Sequence, residues 1–119
     1  AFRAATKGRA NGFMVGAGGF LAFHRKRIVE LAAKNRLPAM YSSVTYVDAG
    51  GLMTYGEDRA EMFRRAAEIV DKVLKGTKPA DIPVERPKKF DFVINLKAAK
   101  QIGFTVPPEV LARATRIIK

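Results

Sequence analysis

The chain has no cysteine, one histidine and no apolar run long enough to cross a bilayer, and each scarcity removes a class of chemistry. Without cysteine there is no disulfide framework, no thiolate nucleophile and no Cys-ligated zinc, and the redox compartment is left open. His24 has no second imidazole and no serine or cysteine paired to it by spacing, which argues against a metal site and against a nucleophilic dyad. It reads as a solvated or packing histidine. No segment approaches the roughly 18 apolar residues of a membrane span. The start at Ala1-Phe2-Arg3 has neither an initiating Met nor a secretory apolar stretch, and it reads as the cut edge of a mature or truncated product.

What is present suits one globular domain. At 119 residues the chain should bury roughly two thirds of the surface it exposes when unfolded. Its 48% hydrophobic and 28% charged residues exclude a disordered or fibrous chain. The 22 Lys and Arg against 11 Asp and Glu, net +11, would admit nucleic acid, anionic lipid or an acidic partner. The excess is spread over Arg3 to Arg9, Arg25 to Arg27, Arg64-Arg65, Lys88-Lys89 and Arg113 to Lys119, so it forms no single arm. Solvated faces explain that spread better than a polyanion site, and no aromatic RNA-binding signature accompanies it. Nucleic acid is therefore not an expected partner, and a basic nucleic-acid or anionic-surface binding domain is the second reading.

Short apolar runs alternate with helical patterns, which argues for an α/β fold of βαβ units with a parallel sheet covered by helices. Strands are expected at Gly12–Gly16, Leu37–Tyr41, Leu52–Tyr55 and Phe90–Ile94. In the last, Phe90, Phe92 and Ile94 share one face, which suits an edge strand. A helix is expected from about Phe20 to Arg36, with Leu21, Ile28, Leu31 and Ala32 inward. The next is specified most fully. Asp58 with Glu61 reads as its capping pair, and Gly76 supplies the left-handed residue past its end. Its two apolar ridges, Met62-Ala66-Ile69-Val73 and Phe63-Ala67-Val70-Leu74, predict a packed core helix. Residues 76–89 carry three prolines and form an extended connector within a single 1–119 unit. Beyond it, Asn95 caps a short helix closed by Gly103, and Pro107-Pro108 opens a last helix with Val110, Leu111, Ala114, Ile117 and Ile118 inward.

Chemistry concentrates at the carboxyl ends of the expected strands, where open α/β sheets bind ligands. Gly16-Ala17-Gly18-Gly19 begins like a dinucleotide fingerprint, but Leu21 stands at its sixth position and no acid follows the next strand, so no nucleotide cofactor is expected. Small residues there still let a ligand approach the backbone, and the following helix N-terminus offers N–H groups to an anion; a plain glycine turn is the alternative. Tyr41 and Ser42 end the second strand, Tyr46 follows in the same connection, and Tyr55 ends the third. The candidate ligand-binding set is therefore Gly18, Gly19, Phe20, Tyr41, Ser42 and Tyr55, the tyrosines either stacking on a solute or packing with wetted hydroxyls. Glu57, Asp58 and Glu61 are explained by the helix start. No catalytic set, metal site or cofactor is expected.

The segments His24 to Ala33, Arg36 to Tyr41, Ala49 to Gly56, Phe63 to Ala67, Val70 to Gly76, Lys78 to Glu85 and Phe92 to Ala99, with Ile102-Gly103 and Pro107-Pro108, together resemble ABC transporter substrate-binding proteins, the family that includes tryptophan- and tyrosine-type receptors. The resemblance runs in order from about Asn11 to the end. It implies a Rossmann-like three-layer αβα sheet of the type I periplasmic-binding-protein kind, and this chain would be the C-terminal third of a two-lobed protein. It also implies a small-molecule ligand, an ABC permease as membrane partner, no enzymatic activity, and a periplasmic or extracytoplasmic setting with a signal peptide upstream. In the family the loop after the first strand carries an acidic or proline-containing segment, and here Gly16 to Gly19 stand in its place. Whether two copies pair to cover exposed sheet is left open.

Overall fold

The computed structural model describes residues 2–119, which form two compact units: 2–56 with Asp91–Lys119, and Glu57–Phe90. The first unit is built on a five-stranded sheet in the order β1 (Phe13–Val15), β2 (Ala39–Tyr41), β3 (Met53–Glu57), β4 (Phe90–Asn95) and β5 (Arg116–Ile118). The pairs β1–β2, β2–β3 and β4–β5 are parallel. β3 and β4 run oppositely, with the Asn95 N–H donating to the Leu52 carbonyl at 2.8 Å and the Asp58 N–H donating to that of Lys89 at 3.1 Å. The sheet is thus mostly parallel, and the α/β reading holds with one antiparallel step.

Helices α1 (Phe2–Lys7), α2 (Gly19–Phe23), α3 (Arg25–Lys34) and α4 (Val44–Asp48) intersperse the first three strands. Val15, Ala39 and Tyr41 on the sheet meet Val29 and Ala32 of α3 and Tyr46 of α4 in one buried cluster. A second cluster joins Leu52 and Ile94 to Ala98 and Ala99 of α6 (Leu96–Ile102) and to Val106. Asn95 caps α6 as its sequence predicts, accepting from the Ala98 N–H at 3.2 Å, and Gly103 ends it at φ 70.

The expected helix over Phe20–Arg36 is two helices, interrupted at His24. Arg25 Nη1 donates to the Ala22 carbonyl at 3.1 Å, satisfying one of the carbonyls that end α2. The expected last helix is also corrected. α7 stops after Pro108–Leu111, and the segment beyond it becomes β5. Thr115 is the reason, because its N–H and hydroxyl both donate to the Phe92 carbonyl while its Oγ1 accepts from the Phe92 N–H. That clamp lays the β-branched Ile117 and Ile118 alongside β4, where their shape fits. With β5 beyond it β4 is internal rather than an edge, and its last three residues are buried instead of alternating.

The second unit holds α5 (Arg59–Leu74) and the connector, which contains one 3-10 turn at Pro79–Asp81. The helix starts where read, with Asp58 Oδ1 accepting from the Glu61 N–H at 3.1 Å, and Gly76 follows its end at φ 101. Arg65 ties the connector back onto the helix through a two-pronged pair with Glu85, one arm at 2.7 Å, and also engages Glu68. Its expected core role is not met. No α5 residue is buried; Val70 is 55% and Leu74 82% exposed.

Candidate functional site

The parallel register aligns the carboxyl ends of three strands. Val15 is opposite Tyr41 and Tyr41 opposite Thr54, so Gly16, Ser42 and Tyr55 are the next residues along the same edge. Two contacts hold this edge. The Thr54 hydroxyl donates to the Tyr41 carbonyl at 2.8 Å, and a Cβ at Gly56 would stand 2.8 Å from the Ser42 carbonyl oxygen, so β3 lies hard against β2 there.

The Gly16–Gly19 loop is exposed, and none of its glycines occupies the left-handed region, Gly18 being extended at φ 170. A Cβ added at Gly16 or Gly19 would meet nothing within 4 Å, and at Gly18 only Leu21 Cδ1 at 3.9 Å. Neither backbone conformation nor internal crowding therefore demands glycine here, and what the loop offers is bare, approachable backbone. The α2 helix that follows is only five residues long, so the long helix whose N-terminus was to face an anion is replaced by little more than one turn.

Phe20 and Phe23 project from α2, 76% and 82% exposed, with His24 edge-on to both at centroid distances of 4.6 and 5.1 Å. Tyr55 is 55% exposed and stands edge-on to Phe92 at 6.1 Å. Of the candidate residues, Gly18, Gly19, Phe20, Ser42 and Tyr55 thus come to the solvent side of one sheet edge. Tyr41 does not. Its ring is buried and lies on the ring of Tyr46, and both belong to the core cluster beneath the strand ends. Burial, reinforced by the neighbouring Tyr46, pushes the Tyr41 hydroxyl up to about 12, and burial raises that of Tyr46 as well.

Phe23, against His24, and Phe92, against Tyr55, are ring neighbours that the candidate set lacks. The spacing of Phe20, Phe23 and His24 on one helical face could have indicated the first, whereas Phe92 meets Tyr55 only through the long-range pairing of β4 with β3. Among the described residues no group of three acids or histidines could hold a metal ion. Asp58 is engaged at the helix start, where the Lys89 ammonium at 3.0 Å and the backbone hold its carboxyl below the usual range. The surface can stack on an organic ring and hydrogen-bond to polar atoms through backbone and the Ser42 hydroxyl.

Solved structures share this fold. A conserved domain protein from Vibrio cholerae O1 biovar eltor is 28% identical, with a TM-score of 0.88 over 98% of this chain and 39% of its own. An ABC domain from Streptococcus pneumonia, in complex with L-Trp, is 28% identical with a TM-score of 0.84 over 96% of this chain and 39% of its own. A substrate binding protein with adhesive properties from Clostridium difficile, in a ligand-free, open form, shares the fold at 19% identity, with a TM-score of 0.69 over 99% of this chain and 40% of its own. The chain therefore spans about two fifths of the length of these proteins. No curated relative matches it significantly. The family model of the ABC transporter substrate binding protein matches residues 5–118, and the chain belongs to that family.

Proposed function

We propose that the chain captures a small organic solute, an aromatic amino acid by class, at the carboxyl edge of β1, β2 and β3. On this reading it is the C-terminal portion of a two-lobed receptor that passes the solute unchanged to a membrane permease, in a periplasmic or extracytoplasmic setting. Tyr55 carries the proposal. A half-exposed phenol at the end of a strand, braced by Phe92 and on the same carboxyl edge of the sheet as an exposed glycine loop, fits a role in stacking better than one in packing. Gly18, Gly19, Phe20 and Ser42 are its proposed partners, with Tyr41 supporting them from below. The L-Trp held by the 28% identical Streptococcus relative supports an aromatic ligand. The uncovered apolar ridges of α5 support a second body, since such a helix normally packs its apolar stripe. Pairing of two copies finds no support.

A thermal-shift panel tests this. L-Trp, L-Tyr and L-Phe should raise the melting temperature by mass action, and Tyr55→Ala should abolish the rise. Equal shifts from aliphatic or acidic solutes, or shifts indifferent to Tyr55, would argue against the aromatic edge.

A further inference from the structure

The charge of the chain is not evenly shared. The unit built on the sheet holds thirteen lysines and arginines against four acids, whereas the unit containing α5 holds nine against seven. Three helices of the first unit lie on one side of its sheet. Phe2 of α1 and Val29 and Ala32 of α3 pack on the Val15, Ala39 and Tyr41 face, and Ala98 and Gln101 of α6 line a crevice with Val29 and Ala32. These helices contain a single acid, Glu30, which Arg27 engages at 3.6 Å.

The charge gathers where α1 and α3 end. Thr6 Oγ1 lies 3.5 Å from Asn35 Oδ1, so the two C-termini adjoin, with Lys7, Arg9, Lys34 and Arg36 exposed around them. Among the described residues none of these four takes part in an ion pair. Arg9 and Arg36 occupy the left-handed position that closes each helix, at φ 53 and φ 50. The Ala10 N–H reaches the Ala5 carbonyl, and the Leu37 N–H that of Ala32. Glycine is the residue such a closure favours. Lys7 and Lys34, in the last turns, already complement the helix ends electrostatically, so that effect alone does not call for two further arginines.

We propose that this patch docks the protein on the anionic phospholipid headgroups of a bilayer. A broad helical layer bearing unpaired cations suits a plane of phosphates, each cation near the surface adding to the attraction. Nucleic acid fits less well, because the patch exposes no aromatic ring for base stacking and its helices are packed side by side on the sheet. This surface and the carboxyl edge are separate, and neither proposal depends on the other.

Vesicle co-sedimentation of the full chain tests it. Binding should require phosphatidylglycerol, at about 30 mol% in phosphatidylcholine, and should weaken as salt screens the charges. Arg9→Gly with Arg36→Gly should lower the affinity about tenfold while the fold is kept, since glycine suits both positions. Lys7→Gln with Lys34→Gln should do likewise without touching the left-handed residues, and Lys75→Gln with Lys78→Gln in the other unit should change little. Equal binding to pure phosphatidylcholine, affinity unmoved by the first two pairs, or tighter binding to duplex DNA than to the anionic vesicles would overturn the proposal.

Discussion

Tyr46 lies flat on Tyr41, ring centroids 4.8 Å apart and planes 12° from parallel, and the pair forms the floor beneath the strand ends. Gly51 lies against both residues, and a Cβ there would stand 2.7 Å from Tyr41 Cε2 and 2.7 Å from the Tyr46 carbonyl oxygen. Gly51→Ala should therefore destabilise the chain by about 1–3 kcal/mol through overpacking. Tyr46→Ala should cost about 3 kcal/mol as a large core truncation. Urea denaturation measures both, and changes within about 0.5 kcal/mol of the parent would contradict this packing.

The same pair gives an alkaline signature. The folded Tyr41 hydroxyl titrates near 12, against 10.0 for the ordinary group, because burial disfavours its charged form. The neutral ring is therefore the form that folding favours. Its contribution is intact below about 10 and is lost as pH rises towards about 12. Tyr41→Phe keeps the ring without the titration, so its stability should fall less steeply across that window, as denaturation at several pH values will show.

Helix α5 is predicted to tolerate truncation in this chain. Val70→Ala and Phe63→Ala remove side chains that are already exposed, and each should change stability by less than about 0.5 kcal/mol. Asn95→Ala, by contrast, removes a buried cap and should cost about 1 kcal/mol. Chemical denaturation ranks the three.

At acid pH the α5 unit should loosen first at its helix start and connector. The carboxyls of Asp58 and Glu85 are held low, chiefly by hydrogen bonds from Lys89 and Arg65 respectively. Folded values below the unfolded ones mean stabilisation that is present above the ordinary carboxylate range and lost as pH falls through the folded values. Asp58→Asn keeps a capping side chain without the charge. Hydrogen exchange of the first α5 turn should therefore depend less on pH in that variant than in the parent.

The local signals read well from the sequence and the long-range ones did not. Asp58, Gly76, Asn95 and Gly103 mark helix ends through hydrogen bonds and backbone freedom within a few residues, and each stands where its chemistry predicts. The final strand was hidden because the Thr115 clamp on Phe92 spans 23 residues, and the spacing of Ile117 and Ile118 mimics a helix. The α5 ridges show that a pattern specifies which face is apolar but not what covers it. At the site, strand order and register were enough to bring Gly18, Ser42 and Tyr55 to one edge, while the Tyr41–Tyr46 stack depended on α4, whose cap at Ser43 was not read.

Capture of an aromatic solute at the carboxyl edge can be read residue by residue from amide shifts in a two-dimensional NMR titration of the chain with L-Trp up to about 10 mM, a range that detects weak binding. Saturable shifts are expected at Gly18, Gly19, Phe20, Ser42 and Tyr55, lost in Tyr55→Ala while the rest of the spectrum is kept. Shifts confined to other surfaces, or none at those five amides, would contradict it.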